Sequence, residues 1–293
     1  MTGLVLIDKP AGCTSHDVVD RWRKLANTRR VGHLGTLDPM ATGVLALLTG
    51  TATRLAQFFG QDEKTYLAEI TLGLRSDTYD VDGDVIETGV DLPGDPALIC
   101  SALDRFRGKF LQTPPRISAK KIQGVPAYKL ARKQIPTELK PVEVEISTLK
   151  IRSIAGPKLE ALVTCSAGTY IRSLAHDLGA QLGCGGILSR LRRTRAGEFR
   201  IEDARTLDEL AALAAENRLQ EAVIPTGQLL TQLPAEYMDA AVEAQIRQGR
   251  SFRTSPFVVP PGTPRVRALS HSGELIAIGE LKIPNLYHPG TVL

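Results

Sequence analysis

The chain has 293 residues, of which 43% are hydrophobic and 23% charged, and its formal net charge is +4. These values are typical of a soluble globular protein, and no apolar run approaches the roughly 18 residues that cross a bilayer. The first residues lack the features of a signal peptide, so a cytoplasmic protein without a membrane anchor is expected. The four cysteines and five histidines have no metal-ligand spacing, which predicts that no metal is bound.

Hydrophobic periodicity predicts the elements of the first third of the chain. The apolar run Leu4–Ile7 is typical of a short strand, and Thr14 followed by Asp17 predicts a capping box that opens a helix to about residue 25. The segment 32–39 is expected to be a loop. The elements expected next are a buried strand at 44–48, a helix capped by Thr51 with Leu55 and Phe59 on one face, and a half-buried strand at 65–72.

The remaining chain continues with an irregular mixture of helices and strands. The expected elements are a helix opened by Asp95, a short helix at 127–133, strands at 142–146 and 159–165, a helix at 171–182 and a capped helix at 206–216. From about residue 228, prolines separate a helix at 240–248 and apolar runs at 257–259, 266–269 and 275–278. This pattern predicts a small β-rich second domain. Because strict βαβ alternation is missing, the expected fold class is α+β.

Charge is segregated along the sequence. Basic residues cluster at 21–30, 116–140 and 190–195, whereas 77–95 is acidic. Such segregation favours a surface that binds a polyanion such as nucleic acid, although each cluster alone is also compatible with a solvated helix face. The residues expected to contact an RNA backbone are Arg29, Arg30, Lys120 and Lys121.

Asp38 is the strongest candidate for a reactive side chain. It lies in a glycine-containing segment and is followed by Pro39, which restricts its backbone. A constrained aspartate could act as a nucleophile or a base, or could be a turn residue that bonds to its own backbone. Arg172 follows a predicted turn into a helix, where a positive charge is unfavourable unless a carboxylate accompanies it. Asp38 is one candidate partner, and a surface position for Arg172 is the alternative.

Several motifs match a known family in the same order along the chain. They are Leu4–Pro10 with Thr14–Asp17, the segment Gly32–Leu45, Lys64–Tyr66, Arg75–Thr78 with Asp80 and Gly83, Ser118–Lys120 with Gly124 and Tyr128, Cys165–Arg172, and Leu191–Arg193. Together they resemble the bacterial tRNA pseudouridine-55 synthases, the TruB family. The resemblance implies a pseudouridine synthase fold, with a mixed, mainly antiparallel sheet flanked by helices. It also implies a catalytic domain at 1–224, with an RNA-gripping insertion at about 110–135, and a PUA-type RNA-binding domain at 228–293.

The resemblance also implies an activity, the isomerisation of uridine to pseudouridine at position 55 in the T-loop of tRNA. Asp38 would attack the flipped-out target, Tyr66 would stack on the base and assist proton transfer, and Arg172 would hold Asp38 ionised. His33 would take the place of the extruded base, Tyr170 and Leu191 would line the pocket, and Lys9 would support the catalytic loop. Attack at the sugar and attack at the base ring both stay open.

The implied reaction requires neither cofactor nor metal, because nothing is oxidised, reduced or hydrolysed. The implied partner is the T-arm of tRNA, and the enzyme would work as a monomer without a membrane or an obligate protein partner. Two other hypotheses come from the residues themselves. One is an RNA-binding or tRNA-folding protein without catalysis. The other is an aspartyl phosphotransferase that uses Asp38 or Asp80, which is disfavoured because no Mg²⁺ ligands are evident.

Overall fold

A computed structural model describes residues 1–118, 121–122, 125–126 and 139–293, with only the backbone at 121–122 and 125–126. The short helix expected at 127–133, half of the expected RNA-gripping insertion, and the side chains of Lys120 and Lys121 lie outside the described residues. None of the helices in the described part of the chain has the length and apolar character needed to cross a bilayer.

A mixed sheet forms the centre of the molecule and has ten strands within the described residues. These strands are β1 (Gly3–Lys9), β2 (Val31–His33), β3 (Thr42–Thr49), β4 (Lys64–Leu72), β7 (Gly108–Gln112), β10 (Val142–Ala155), β11 (Lys158–Cys165), β12 (Gly186–Ala196), β13 (Phe199–Arg200) and β14 (Val223–Ile224). Their order is β14-β1-β3-β12-β4-β11-β10-β7, with β2 on β3 and β13 on β12. Every pair is antiparallel except β3–β12, which confirms the expected sheet.

Helices pack against this sheet, and two further strand pairs stand apart from it in the pairing. The helices are α1 (Ser15–Leu25), α2 (Pro96–Asp104), α3 (Ile171–Gln181) and α4 (Leu207–Ala215), and the hairpins pair β5 (Leu74–Arg75) with β6 (Ile86–Glu87) and β8 (Lys121–Ile122) with β9 (Val125–Pro126). The capping boxes at Thr14 and Thr206 are both present. Because α1 buries Val18, Val19 and Trp22 against the sheet, its first turn is fixed beside the loop that follows β2.

Two of the expected elements before residue 60 are wrong. Residues 31–33 form strand β2, because their backbone pairs with the edge of β3, a tertiary partner that a three-residue segment does not reveal. Residues 50–58 form a 3₁₀ helix whose N-cap is Thr49, without a side-chain cap. The chain turns directly at Gly50, which has φ +64°, and a Cβ there would overlap Thr2. The cap position therefore falls two residues earlier than expected.

The C-terminal residues form a second sheet, which confirms the expected β-rich domain. Its strands are β15 (Ala235–Tyr237), β16 (Phe252–Arg253), β17 (Arg265–Leu269), β18 (Leu275–Ile283) and β19 (Leu286–Val292), in the order β15-β17-β18-β19-β16, accompanied by helix α5 (Ala240–Arg247). The run 257–259 is a turn closed onto the Ser255 carbonyl, so the strand expected there is wrong. Because the Phe257 side chain is 98% exposed, no burial of this side chain favours a strand here.

The two sheets share one hydrophobic cluster. Leu4, Leu48 and Leu55 of the first sheet and its 3₁₀ helix belong to the same cluster as Leu275 and Ile278 of the second sheet. The side chain of Arg54 donates to the carbonyl of Val292 at 2.6 Å. Burial of this cluster stabilises both sheets together. The division of the chain at 224–228 and the PUA type of the second domain stay predictions.

Candidate active site

Asp38 lies in a loop, Gly35–Ala41, whose backbone is held from two sides. The hydroxyl of Ser15, at the start of α1, accepts from the Leu37 amide at 2.8 Å and lies 3.1 Å from the Leu37 carbonyl. On the other side, the fully buried Lys9 donates to the carbonyls of Pro39 and Ala41 at 3.2 and 2.7 Å. These bonds immobilise the residues before and after Asp38, so its carboxylate is presented without rotation of the loop.

The guanidinium of Arg172 contacts the Asp38 carboxylate through two nitrogens. Its Nη2 donates to Oδ1 at 3.0 Å, and its Nε lies 2.9 Å from Oδ2. The Arg172 side chain is 5% exposed and that of Asp38 30% exposed. Asp38 is thus the partner expected for this arginine, and the pairing offsets the unfavourable position of Arg172 in the first turn of α3.

A second carboxylate, Asp80, completes this cluster and was assigned no role with Asp38 or Arg172 in the sequence analysis. Its Oδ2 lies 3.4 Å from the Nε of Arg172, and its side chain is 4% exposed. Burial raises the pKa of Asp80 above its usual value, whereas the hydroxyl of Thr78 and the charge of Arg172 act in the opposite direction. The only signal in the sequence was the position of Asp80 within a family-like segment.

The loop 76–84 that carries Asp80 also braces Arg172 and the Asp38 loop. The carbonyl of Thr78 accepts from Nη1 of Arg172 at 3.0 Å, and the carboxylate of Asp82 accepts from the Met40 amide at 3.1 Å. A Cβ at Gly83 would overlap the side chains of Ser76, Asp77 and Thr78. Glycine is therefore required for the tight turn that brings these acceptors to Arg172.

Asp38 opens into a cavity of about 290 Å³ between its own loop, β4, β12 and the start of α3. Tyr66, Tyr170 and Leu191 line it, as the sequence analysis expects of pocket residues, and Lys64 and Arg193 also contribute to its wall. Tyr66 is 8% and Leu191 7% exposed. The backbone of Tyr170 is fixed by Gln112, whose amide side chain accepts from the Tyr170 N–H at 2.8 Å.

The other residues singled out from the sequence lie away from this cavity or behind it. His33 ends β2 and is half-buried; burial and then the charge of Arg193 lower the pKa of its imidazole. Arg29 and Arg30 are exposed just before β2. The basic cluster at 190–195 is not a uniform surface, because Arg193 is 1% exposed and faces the interior. The expectation of a polyanion-binding cluster is therefore wrong for Arg193, since strand alternation directs it inward.

The sequence matches one protein family over most of its length. Residues 23–171 match the TruB family pseudouridylate synthase N-terminal domain, and residues 172–231 match the tRNA pseudouridylate synthase B C-terminal domain. The tRNA pseudouridine synthase B of Solibacter usitatus is 48% identical, with all of both chains covered. That of Aquifex aeolicus is 40% identical, with 96% of each chain covered.

Solved structures share the fold as well. A chain in the structure of an H/ACA RNP bound to a substrate RNA containing 2'-deoxyuridine is similar, with a TM-score of 0.71 and 25% identity. The match covers 99% of the present protein and 84% of the chain in that RNP. A chain of the archaeal box H/ACA sRNP Nop10-Cbf5 complex has the same TM-score and identity, with 99% and 86% covered. With both family domains matched and a relative 48% identical across the whole chain, the protein belongs to the TruB family of pseudouridine synthases.

Proposed function

We propose that this isomerase converts uridine to pseudouridine at position 55 in the T-loop of tRNA, with Asp38 as the nucleophile. The observation that carries the proposal is the pairing of a partly exposed Asp38 carboxylate with the buried Arg172, at 3.0 Å, in the wall of the same cavity as Tyr66. Membership in the TruB family supports the chemistry, and the tRNA named for its relatives supports the substrate.

Each residue singled out by the resemblance then has a chemical task. The target uridine leaves the RNA stack to reach the cavity. Tyr66 stacks on the extruded base and takes part in proton transfer, and Leu191 and Tyr170 enclose the base. Lys9 acts through the loop that it holds, since it has no exposed surface. His33 occupies the space in the RNA that the base has left. The enzyme acts as a cytoplasmic monomer with tRNA as its partner.

The direct test is incubation of the purified protein alone with an unmodified T-arm stem-loop, followed by nucleoside analysis for pseudouridine. We expect one pseudouridine per RNA, at position 55. The same stem-loop with cytidine at that position is the control and should give none. Binding of the stem-loop without any pseudouridine would contradict the proposal and would favour an RNA-binding protein without catalysis.

Substitution of Tyr66 separates stacking from proton transfer. Tyr66→Phe keeps the ring and removes only the hydroxyl, so RNA binding should persist while turnover falls by about 10²–10⁴-fold, the usual worth of acid–base assistance. Tyr66→Leu removes the ring as well and should also weaken binding of the RNA. Turnover, RNA affinity and Tm are measured on the same preparations.

The matched control for Tyr66 is Tyr237→Phe, at a tyrosine that is 65% exposed in the C-terminal sheet and should behave like the wild type. A folded Tyr66→Phe protein with full turnover would show that Tyr66 only packs against its neighbours in β4.

The exposed pair Arg29 and Arg30 is expected to contact the RNA backbone. The double variant Arg29→Gln, Arg30→Gln should weaken binding and flatten its salt dependence, because each phosphate contact contributes a slope of roughly 0.7–0.9 in log K against log salt. Lys150→Gln with Arg152→Gln is the control, since both residues are exposed on β10, which contributes nothing to the cavity. An equal slope in the two double variants would identify Arg29 and Arg30 as ordinary solvated surface.

A further inference from the structure

Arg193 is a buried cation without a carboxylate partner among the described residues. It is 1% exposed, and its hydrogen bonds go to three backbone carbonyls. Nε donates to Val44 at 2.8 Å, Nη2 to Gly35 at 3.2 Å and Nη1 to Thr36 at 3.5 Å. A buried charge is costly unless other groups compensate it. Packing alone could be supplied by an apolar side chain at lower cost, so this charge calls for another explanation.

The backbone of Arg193 is fixed by its neighbours in the sheet. It lies opposite Gly43 in the parallel pairing of β12 with β3, and a Cβ at Gly43 would overlap the backbone of Arg193. The close approach that this glycine permits anchors the arginine between β3 and β4. From that position its guanidinium reaches the carbonyls of Gly35 and Thr36, three and two residues before Asp38.

Tyr66 is directly opposite Arg193 in the antiparallel pairing of β4 with β12. Paired residues share one face of a sheet, with Cβ atoms about 4.5–5.5 Å apart, and both side chains line the cavity. Burial raises the pKa of the Tyr66 phenol, whereas the charge of Arg193 acts to lower it. The arginine thus opposes the effect of burial on the group proposed to move a proton.

Other titratable groups surround the same phenol and must be considered with it. Cys165 and Asp38 act to raise the pKa of Tyr66. Lys64 also lines the cavity, and burial followed by the charge of Arg193 lowers the pKa of its ammonium. Removal of Arg193 would therefore change the pKa of both Tyr66 and Lys64. Only a measurement resolved at Tyr66 separates the two effects.

We propose that Arg193 is a positioning residue with two targets, the carbonyls of Gly35 and Thr36 that it holds beside Asp38, and the phenolate of Tyr66 that its charge stabilises. The inference rests on the proposed role of Tyr66 in the reaction. In the final step, the C5 proton of the rejoined base passes to the phenolate oxygen. The electron pair of that C–H bond restores the C5–C6 double bond, while the C6–N1 double bond of the rejoined base gives its π pair to N1, the nitrogen that left the sugar, which takes up a proton from solvent. The phenol then releases its proton to solvent.

The test compares Arg193→Gln, which keeps a hydrogen-bond donor without the charge, with Arg193→Lys, which keeps the charge. Tyr66 is titrated by NMR of ¹³Cζ-labelled tyrosine in the RNA-free protein, with its signal assigned by its loss in Tyr66→Phe. Single-turnover pseudouridine formation on the T-arm stem-loop is measured from pH 6 to 9. Arg200→Gln, at an exposed arginine on the adjacent β13, is the control, and Tm reports folding.

In Arg193→Gln we expect the Tyr66 titration to move upward by about one pH unit or more, the usual effect of removing a neighbouring opposite charge. The rate should fall about tenfold at each pH from 6 to 9, because the Tyr66 phenol, whose pKa is raised by burial, is mostly protonated throughout that range. In Arg193→Lys the Tyr66 titration should move by a smaller amount, and in Arg200→Gln it should not move. A Tyr66 titration that stays unchanged in a folded Arg193→Gln protein would overturn the inference, as would an unchanged rate of pseudouridine formation in that protein.

Two further outcomes are distinguishable. If Arg193→Gln does not fold, the effect of Arg193→Lys on the rate is compared in the wild-type and Tyr66→Phe backgrounds. The effect of Arg193→Lys on the rate should be smaller in the Tyr66→Phe background than in the wild type. Equal effects in the two backgrounds would overturn the inference. If the wild-type protein makes no pseudouridine, the proposed function fails, whereas the NMR titration still tests the link between Arg193 and Tyr66 because it requires no RNA.

Discussion

Asp38→Asn is expected to abolish pseudouridine formation, with a loss of roughly 10⁴-fold or more, while RNA binding stays within a few-fold of the wild type. The amide is nearly isosteric and can still accept the 3.0 Å bond from Arg172, so the loop keeps its shape. It cannot act as the anionic nucleophile, however, and losing the group that forms the covalent bond removes most of the rate enhancement. Single-turnover kinetics and binding of the T-arm stem-loop provide the measurements.

The control is Asp84→Asn, because the Asp84 side chain is exposed on the neighbouring loop and makes no hydrogen bond or ion pair to the residues that the structure describes. This variant should have wild-type activity. Normal turnover by a preparation of Asp38→Asn free of wild-type enzyme would rule out Asp38 as the nucleophile, and the binding role of this loop would then have to be examined instead.

Arg172→Met is expected to lower both stability and activity. The substitution leaves Asp80 buried at 4% exposure without its cation, and breaking a buried ion pair in this way costs about 3–5 kcal/mol of unfolding free energy. It also releases the carboxylate of Asp38, and misplacement of a reacting group by about 1 Å costs on the order of 10²-fold in rate. Chemical denaturation and single-turnover kinetics measure the two effects separately.

The stability loss in Arg172→Met should depend on pH in a defined direction. Asp80 already has a raised pKa because it is buried, and an acid whose folded pKa lies above its unfolded value destabilises the fold when it is ionised. Removing Arg172 raises that pKa further. The deficit relative to wild type should therefore be largest near pH 8 and should shrink as the pH falls toward 5 and Asp80 takes up a proton.

The comparison for this pH series is Arg105→Met, at an exposed arginine just after α2. It should change stability little at any pH, since exposed charges contribute little. A deficit in Arg172→Met that is constant from pH 8 to 5 would show that Asp80 does not respond to the loss of the arginine.

Local signals in the sequence determined most of the elements of this fold. The capping boxes at Thr14 and Thr206 define the starts of α1 and α4, because a side chain that bonds the first turn acts within four residues. Alternating apolar residues similarly defined β4 and β11, since the period of a half-buried strand is two. The candidate nucleophile was also accessible from the sequence, because Asp38 lies between glycines and a proline in a segment that matches the family.

The tertiary structure alone decided the contacts among distant segments. Asp38 and Arg172 are 134 residues apart in the sequence, and Asp80 approaches the same guanidinium from a third segment. No local sequence pattern predicts that Arg172 contacts both carboxylates, because these contacts depend on how β3, β12 and β4 are ordered in the sheet. The same order turned Arg193 inward, so that one residue of a cluster that looks uniformly basic in the sequence became a buried charge beside Tyr66. Strand pairing and the parity of each residue on its strand determine which charges are buried, and both are properties of the assembled sheet.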